Sequence, residues 1–111
     1  MTKRLSEMSD NEINIAIAEK LGINFDTAPH GEWIFDTDKG YYPLDYCKPS
    51  AESMQLMIDN KIDLNTGCEL VNDEWEDNEL WDASTAGVIA NHENPCRAIA
   101  MCFLMTKGWE L

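Results

Sequence analysis

This 111-residue chain is predicted to be α+β: a single-domain α/β/α-type sandwich, three helices against an antiparallel sheet of about four strands, in the order αββαββα. Three observations predict it. Helical periodicity with recognisable end signals occurs three times. Two short extended stretches with turn residues between them separate each helix from the next. Helices separated by hairpins, rather than strands and helices in strict alternation, favour an antiparallel sheet over a doubly wound one. With 44% apolar residues and four tryptophans the chain can build one core, so residues 1–111 are read as one domain with 1–8 as a flexible lead.

The first helix is announced by Ser9-Asp10-Asn11-Glu12, a capping box in which Ser9 and Glu12 satisfy each other's backbone N–H groups, with Met8 set to staple onto Ile13. It is expected over Asp10 to Leu21, with Ile13, Ala16, Ile17 and Leu21 as its apolar stripe and Gly22 at its end. Asn24, Asp26, Pro29, His30 and Gly31 make Ile23 to Gly31 a loop, with His30 exposed or capping. Glu32 to Thr37 and Tyr41 to Tyr46 read as strands joined by Asp38-Lys39-Gly40, and Pro43 places the second of them at an edge. Pro49 and Ser50 open a second helix running to about Lys61, with Met54, Met57, Ile58 and then Ile62 on its packing face.

A second hairpin is expected from Leu70 to Glu76 and Glu79 to Ala83, turned at Asp77-Asn78 and anchored by Trp75 and Trp81. Ser84 to Glu93 reads as a loop. The last helix, Asn94 to Met105, has an N-cap acceptor in Asn94, proline at its first position, and Lys107 and Gly108 at its end. Arg97 is its only charged residue and apolar side chains lie all round it, so it is expected at the centre of the fold. It is too short to cross a bilayer, which takes about 20 apolar residues.

Charge is the strongest compositional signal. There are 21 Asp and Glu against 8 Lys and Arg, a formal net charge of −13. Seven of the acids, Glu69, Asp73, Glu74, Glu76, Asp77, Glu79 and Asp82, fall in the segment Glu69 to Asp82, and no Lys or Arg lies between Ile62 and Cys96. Direct nucleic-acid binding is excluded as the leading reading, because most non-specific affinity for a phosphate backbone comes from cations replacing counterions. The usual catalytic signatures are missing: the chain has no GxSxG, Walker loop, GxGxxG or HExxH. Paired carboxylates in the hairpin are the one catalytic or magnesium-binding chemistry on offer. A charge run is more often a solvated face, so the chain is read as non-enzymatic.

No metal or cofactor is implied. Asp36 and Asp38 resemble the start of a calcium loop, but Gly40 stands where a third ligand belongs and Cys47 where the closing glutamate belongs. Cys47, Cys68, Cys96 and Cys102 have no CxxC spacing and read as buried thiols in a reducing compartment. Lys3 and Arg4 are followed by no apolar run, so neither a leader peptide nor a membrane segment is expected and the cytoplasm is the expected compartment.

Three groups of residues carry a family likeness: Ser9 to Ala18 with Ile13-Asn14, Asp45-Tyr46-Cys47 before the second helix, and Asn94-Pro95-Cys96-Arg97-Ala98 leading to Phe103-Leu104-Met105. Together they resemble the phage ABA-sandwich and NinX-like proteins, a family of small uncharacterised proteins of tailed phages and prophages of enteric bacteria. The likeness covers most of the chain. It implies a helix–sheet–helix sandwich, a phage origin and the cytoplasm of a bacterial host, and it brings no catalytic motif. The acidic hairpin is richer in carboxylates than the family pattern requires.

The expected function is therefore that of a phage-encoded acidic inhibitor of a host defence factor, of anti-CRISPR or anti-restriction type. Its carboxylates would stand in for phosphates on a basic, nucleic-acid-binding surface. Its contact residues would be Glu69, Asp73, Glu74, Trp75, Glu76, Asp77, Glu79 and Asp82. A second reading is a protein that sequesters a small ligand such as a signalling nucleotide, with Arg97 on a phosphate unless Arg97 is instead paired with Asp45 or another core carboxylate. A third is a phage accessory protein that assembles with itself through exposed Trp and Tyr, a homodimer being the simplest case.

Overall fold

The backbone satisfies its own hydrogen bonds in three helices and two small sheets. The computed structural model describes residues 4–29, 31, 33–71 and 74–111, and for residues 67–71 and 75–79 it describes the backbone alone. Among the described residues the elements are α1 (Asp10–Leu21), β1 (Phe25–Thr27), β2 (Ile34–Asp36), β3 (Tyr42–Leu44), α2 (Ala51–Asp59), β4 (Asp63–Val71), β5 (Glu74–Thr85), β6 (Val88–His92) and α3 (Pro95–Thr106). The class is α+β with three helices, as expected. The sheet differs: instead of about four strands together there are two three-stranded antiparallel sheets, β1-β2-β3 and β4-β5-β6.

Both additional strands fall where loops were expected. β1 has only three residues, too few for alternation to register, and it exists because Phe25, Asp26 and Thr27 pair with Asp36, Phe35 and Ile34. β6 left a clearer mark. Ala86 and Gly87 both have positive φ, 49° and 82°, which is the backbone of a two-residue type I′ hairpin, and Val88-Ile89 then returns along β5. The turn expected at Asp77-Asn78 is not there. Val71 pairs with Glu74, and Asp77 lies inside β5 opposite Cys68. The local signal is expressed as an irregularity instead: Thr66 pairs with Trp81 and Cys68 with Asp77, so residues 78–80 stand opposite the single Gly67.

The caps behave as their residues require. Ser9 accepts from the Glu12 N–H and Glu12 returns the bond, completing the capping box. Asn94 Oδ1 accepts from the N–H groups of Cys96 and Arg97, and Gly108 takes a φ of 97° just past α3. Pro43 lies on the edge strand β3. Residues 4–8, expected as part of a flexible lead, are packed: Leu5 is fully buried, Met8 nearly so, and the Leu5 N–H donates to the Glu110 carbonyl at 2.7 Å.

α3 lies at the centre. It packs on β5 and β6 on one side and against α1 and α2 on the other, and Cys96 to Leu104 are all buried. The buried stripe of α1 is Ile13, Ala16 and Ile17. Leu21, expected on that stripe, is exposed at the helix end. Of the expected packing face of α2, Ile62 is buried and Met57 packs against the core, but Met54 and Ile58 are more than half exposed, and Ser53 and Leu56 are buried instead.

A polar knot holds the three helices together. Asn14 of α1 accepts the Tyr46 N–H at 2.8 Å and donates to Asp45 at 3.3 Å. Ser50, the cap of α2, donates to the Asp45 carbonyl, and Asn94, the cap of α3, donates to the Cys47 carbonyl at 2.8 Å. Arg97 completes the knot. Its guanidinium donates to Asp10 at 2.5 Å and to the carbonyls of Leu5 and Met8 at 3.1 and 2.5 Å, which joins α3 to the start of α1 and to the segment before it.

Two predictions follow from this packing. Arg97→Ala removes the donor to the Met8 carbonyl and the partner of Asp10, leaves the Leu5 carbonyl only the Met8 N–H, and lowers the unfolding free energy by about 3 kcal/mol, read from urea denaturation by tryptophan fluorescence. Tyr46, 3% exposed, has its hydroxyl pKa raised from 10.0 to about 12, mainly by burial and then by Glu52 and Asp36. The folded state thus holds this proton more tightly than the unfolded chain. That contribution to stability is complete below pH 10 and is lost as pH climbs towards about 12. Chemical denaturation across that range gives a smaller loss for Tyr46→Phe than for the unsubstituted chain.

Candidate partner-binding face

Alternation along a strand, together with the observed register, divides the second sheet into two faces. One face meets α3: Ala83 and Ala90 are fully buried there, and Trp81 is half-buried beside His92. The other face is not covered by a helix, and its described side chains at Asp63, Asn65, Ile89 and Asn91 are exposed. Asp82, half-buried, pairs with Asn65 on one side and Asn91 on the other, which places it in the middle of that outer face.

The outer face continues along the ladder. β6 pairs only with Trp81 to Thr85, so the part of β5 from Glu74 onward that precedes Trp81 is partnered by β4 alone, as a two-stranded ribbon. This ribbon accords with the elongated outline of the molecule, 53 × 29 × 22 Å. Within it Glu69 pairs with Glu76 and Val71 with Glu74, and the register carries these four positions onto the same face as Asp63 and Asn65. Cys68, Leu70, Trp75 and Asp77 occupy the alternate positions. The predicted contact residues are thereby sorted. Glu69, Glu74, Glu76 and Asp82 share the outer face, Trp75 and Asp77 belong to the other, and residues 78–80, Glu79 among them, form the irregularity between ribbon and sheet. Glu74 is exposed. Asp73 lies outside the described residues, as do His30, Glu32 and the side chains of Glu69, Trp75, Glu76, Asp77 and Glu79.

Two consequences follow from this arrangement. Asp63 adds a fifth carboxylate to the outer face, which sequence reading missed because Asp63 lies outside the dense acidic run. A two-stranded ribbon is at best marginally stable in water. No lysine or arginine lies on β4, β5 or β6. A cationic surface laid on this face would meet residues of opposite charge.

Arg97 and Asp45 stand elsewhere. The carboxylate paired with Arg97 is Asp10, not Asp45; Asp45 accepts from Asn14 and the Cys47 N–H and lies 3.8 Å from Lys48. With its terminal nitrogens on Asp10 and two main-chain carbonyls, the Arg97 guanidinium serves the fold, and its Nε is buried with no hydrogen-bond partner among the described residues. Among the described residues there is no group of three His, Cys, Asp or Glu arranged to hold a metal ion. No helix among them is long and apolar enough to cross a membrane.

Three of the cysteines likewise belong to the packing. Cys47, Cys96 and Cys102 are free and buried, and Cys68 has no described side chain. Burial, reinforced by Asp10, pushes the Cys47 thiol far up, and burial raises Cys102 as well, so neither offers a thiolate at neutral pH. No family model matches the chain, and no curated protein or solved structure is significantly similar to it.

Thiol accessibility checks this assignment. In the folded protein at pH 8, Cys47 and Cys102 react with a maleimide at least a hundredfold more slowly than in urea, read by mass spectrometry of the labelled peptides.

Proposed function

We propose that this chain is an acidic binding protein. It docks the outer face of its second sheet onto a basic surface where another protein holds DNA or RNA, and so displaces the nucleic acid. The partner class that fits best is a nucleic-acid-handling defence factor, of CRISPR-effector or restriction type, and the setting is the cytoplasm of a bacterial host making a phage or prophage protein. The observation that carries this reading is the gathering of Asp63, Glu69, Glu74, Glu76 and Asp82 on one helix-free face, half of it borne on a projecting ribbon.

The physical case has three parts. A duplex presents one negative charge per about 1.7 Å of axis, so a protein that competes for the same surface needs carboxylates in rows rather than singly. Alternate residues on one face of a strand stand about 6.6 Å apart, and neighbouring strands about 4.8 Å apart, which arrays carboxylates at separations that a phosphate-binding surface can accept. Long-range attraction would speed encounter and choose basic partners, while Ile89, exposed on the same face, supplies apolar contact. Like charge keeps the chain off nucleic acid itself.

The test is competition. The purified chain added to a candidate effector should weaken its DNA or RNA binding, with an affinity that falls steeply as salt rises. Glu74→Lys combined with Glu76→Lys should reduce inhibition at least tenfold, whereas Asp77→Lys, on the alternate face, should reduce it less. Undiminished inhibition by the Glu74/Glu76 variant would exclude this face as the contact.

A further inference from the structure

A cleft of about 420 Å³ opens between the end of α1, the first sheet and α2. Its floor is apolar, made by Ile23, Leu44 and Leu56. Around that floor stand three carboxylates, Asp36, Glu52 and Asp59, with Lys39 as the one cation lining it. Tyr46 also lines the cleft. It is 3% exposed, and its hydroxyl has no hydrogen-bond partner among the described residues. Asp36 and Glu52 line the same cleft as this tyrosine.

We propose that this cleft binds a small organic ammonium ion, a primary amine carried on an apolar body, with the amine among Asp36, Glu52 and the Tyr46 hydroxyl and the apolar body on Leu44 and Leu56. The charge balance of three carboxylates to one lysine disfavours anionic ligands, nucleotides included. A bare divalent cation is a poorer fit, since no three acidic groups among the described residues converge as metal ligands. A neutral apolar guest would cover carboxylates without pairing them, which costs free energy. An ammonium group on an apolar stem answers both parts of the lining: its N–H groups donate to the carboxylates and to the tyrosine oxygen, and its carbon chain displaces water from the leucines. Asp36 is already fixed for this, because its Oδ1 accepts the Asp38 N–H at 2.9 Å and the side chain is 6% exposed. The site is independent of the acidic outer face of the second sheet.

Titration calorimetry with tyramine and cadaverine as cationic probes, and with 4-ethylphenol and 1-pentanol as neutral counterparts, tests the proposal on the intact chain. The expected result is saturable one-to-one binding of at least one amine, absent for the neutral probes and weakened by salt. Glu52→Gln and Tyr46→Phe should each weaken it about tenfold, the loss of one hydrogen bond to a charged group. Glu74→Lys with Glu76→Lys, neither of which lines the cleft, should leave it unchanged. Because substitution at Asp36 also removes a turn cap, Glu52→Gln, with circular dichroism as the check on folding, is the deciding variant. The proposal is overturned by failure of both amines to saturate, by equal binding of the neutral probes, or by full affinity in a folded Glu52→Gln protein.

Discussion

The fold depends on one buried cation. Arg97 enters a mostly apolar core, and its guanidinium is divided among Asp10 and the carbonyls of Leu5 and Met8. A buried charge is costly unless it is paired and hydrogen-bonded, so this arrangement constrains where the chain before α1 can lie. It turns residues 4–8 from a tail into part of the core and sets the start of α1 against the first turns of α3. The fully buried Leu5 follows from it.

The same region brings together residues that lie far apart in the chain. Asn14, Asp45 to Cys47, Asn94 and Arg97 are distant in sequence, yet all belong to one hydrogen-bonded knot where the three helices meet. Each member satisfies a main-chain group that a helix cap or a tight connection would leave unpaired. Their chemistry is that of folding. Cys47 sits in this knot with its thiol pushed up by burial and by Asp10, the reverse of what a nucleophile requires.

Function is thereby left to surfaces the knot does not use, and two of these have opposite characters. The outer face of the second sheet is broad and open, with carboxylates set out by strand spacing and no cation among the strands. The cleft beside the first sheet is small and partly apolar, with its carboxylates set round a buried tyrosine. A broad open array favours a macromolecular surface, while a concave site with a few polar groups favours a small molecule. The two readings draw on different residues.

Much of this was legible in the chain itself, for local reasons. The Ser9–Glu12 capping box, Asn94-Pro95 and Gly108 mark helix ends because they satisfy or release backbone groups within a few residues. The acidic run between Ile62 and Cys96 is likewise visible as charge density. Tertiary structure decided what depends on partners far away in sequence. β1 exists only through its pairing with β2. α2 turned Leu56 rather than Met54 inward because of what α3 presents to it. Asp77-Asn78, a turn by local chemistry, became the start of an irregularity in a longer strand because the ladder continued past it. The same holds for the candidate sites: composition reveals how many carboxylates there are, but register assigns Glu69, Glu74, Glu76 and Asp82 to one face with Asp63. Only packing brings Asp36, Glu52 and Tyr46 around one cleft, because each is delivered by a different segment and none is a sequence neighbour of the others.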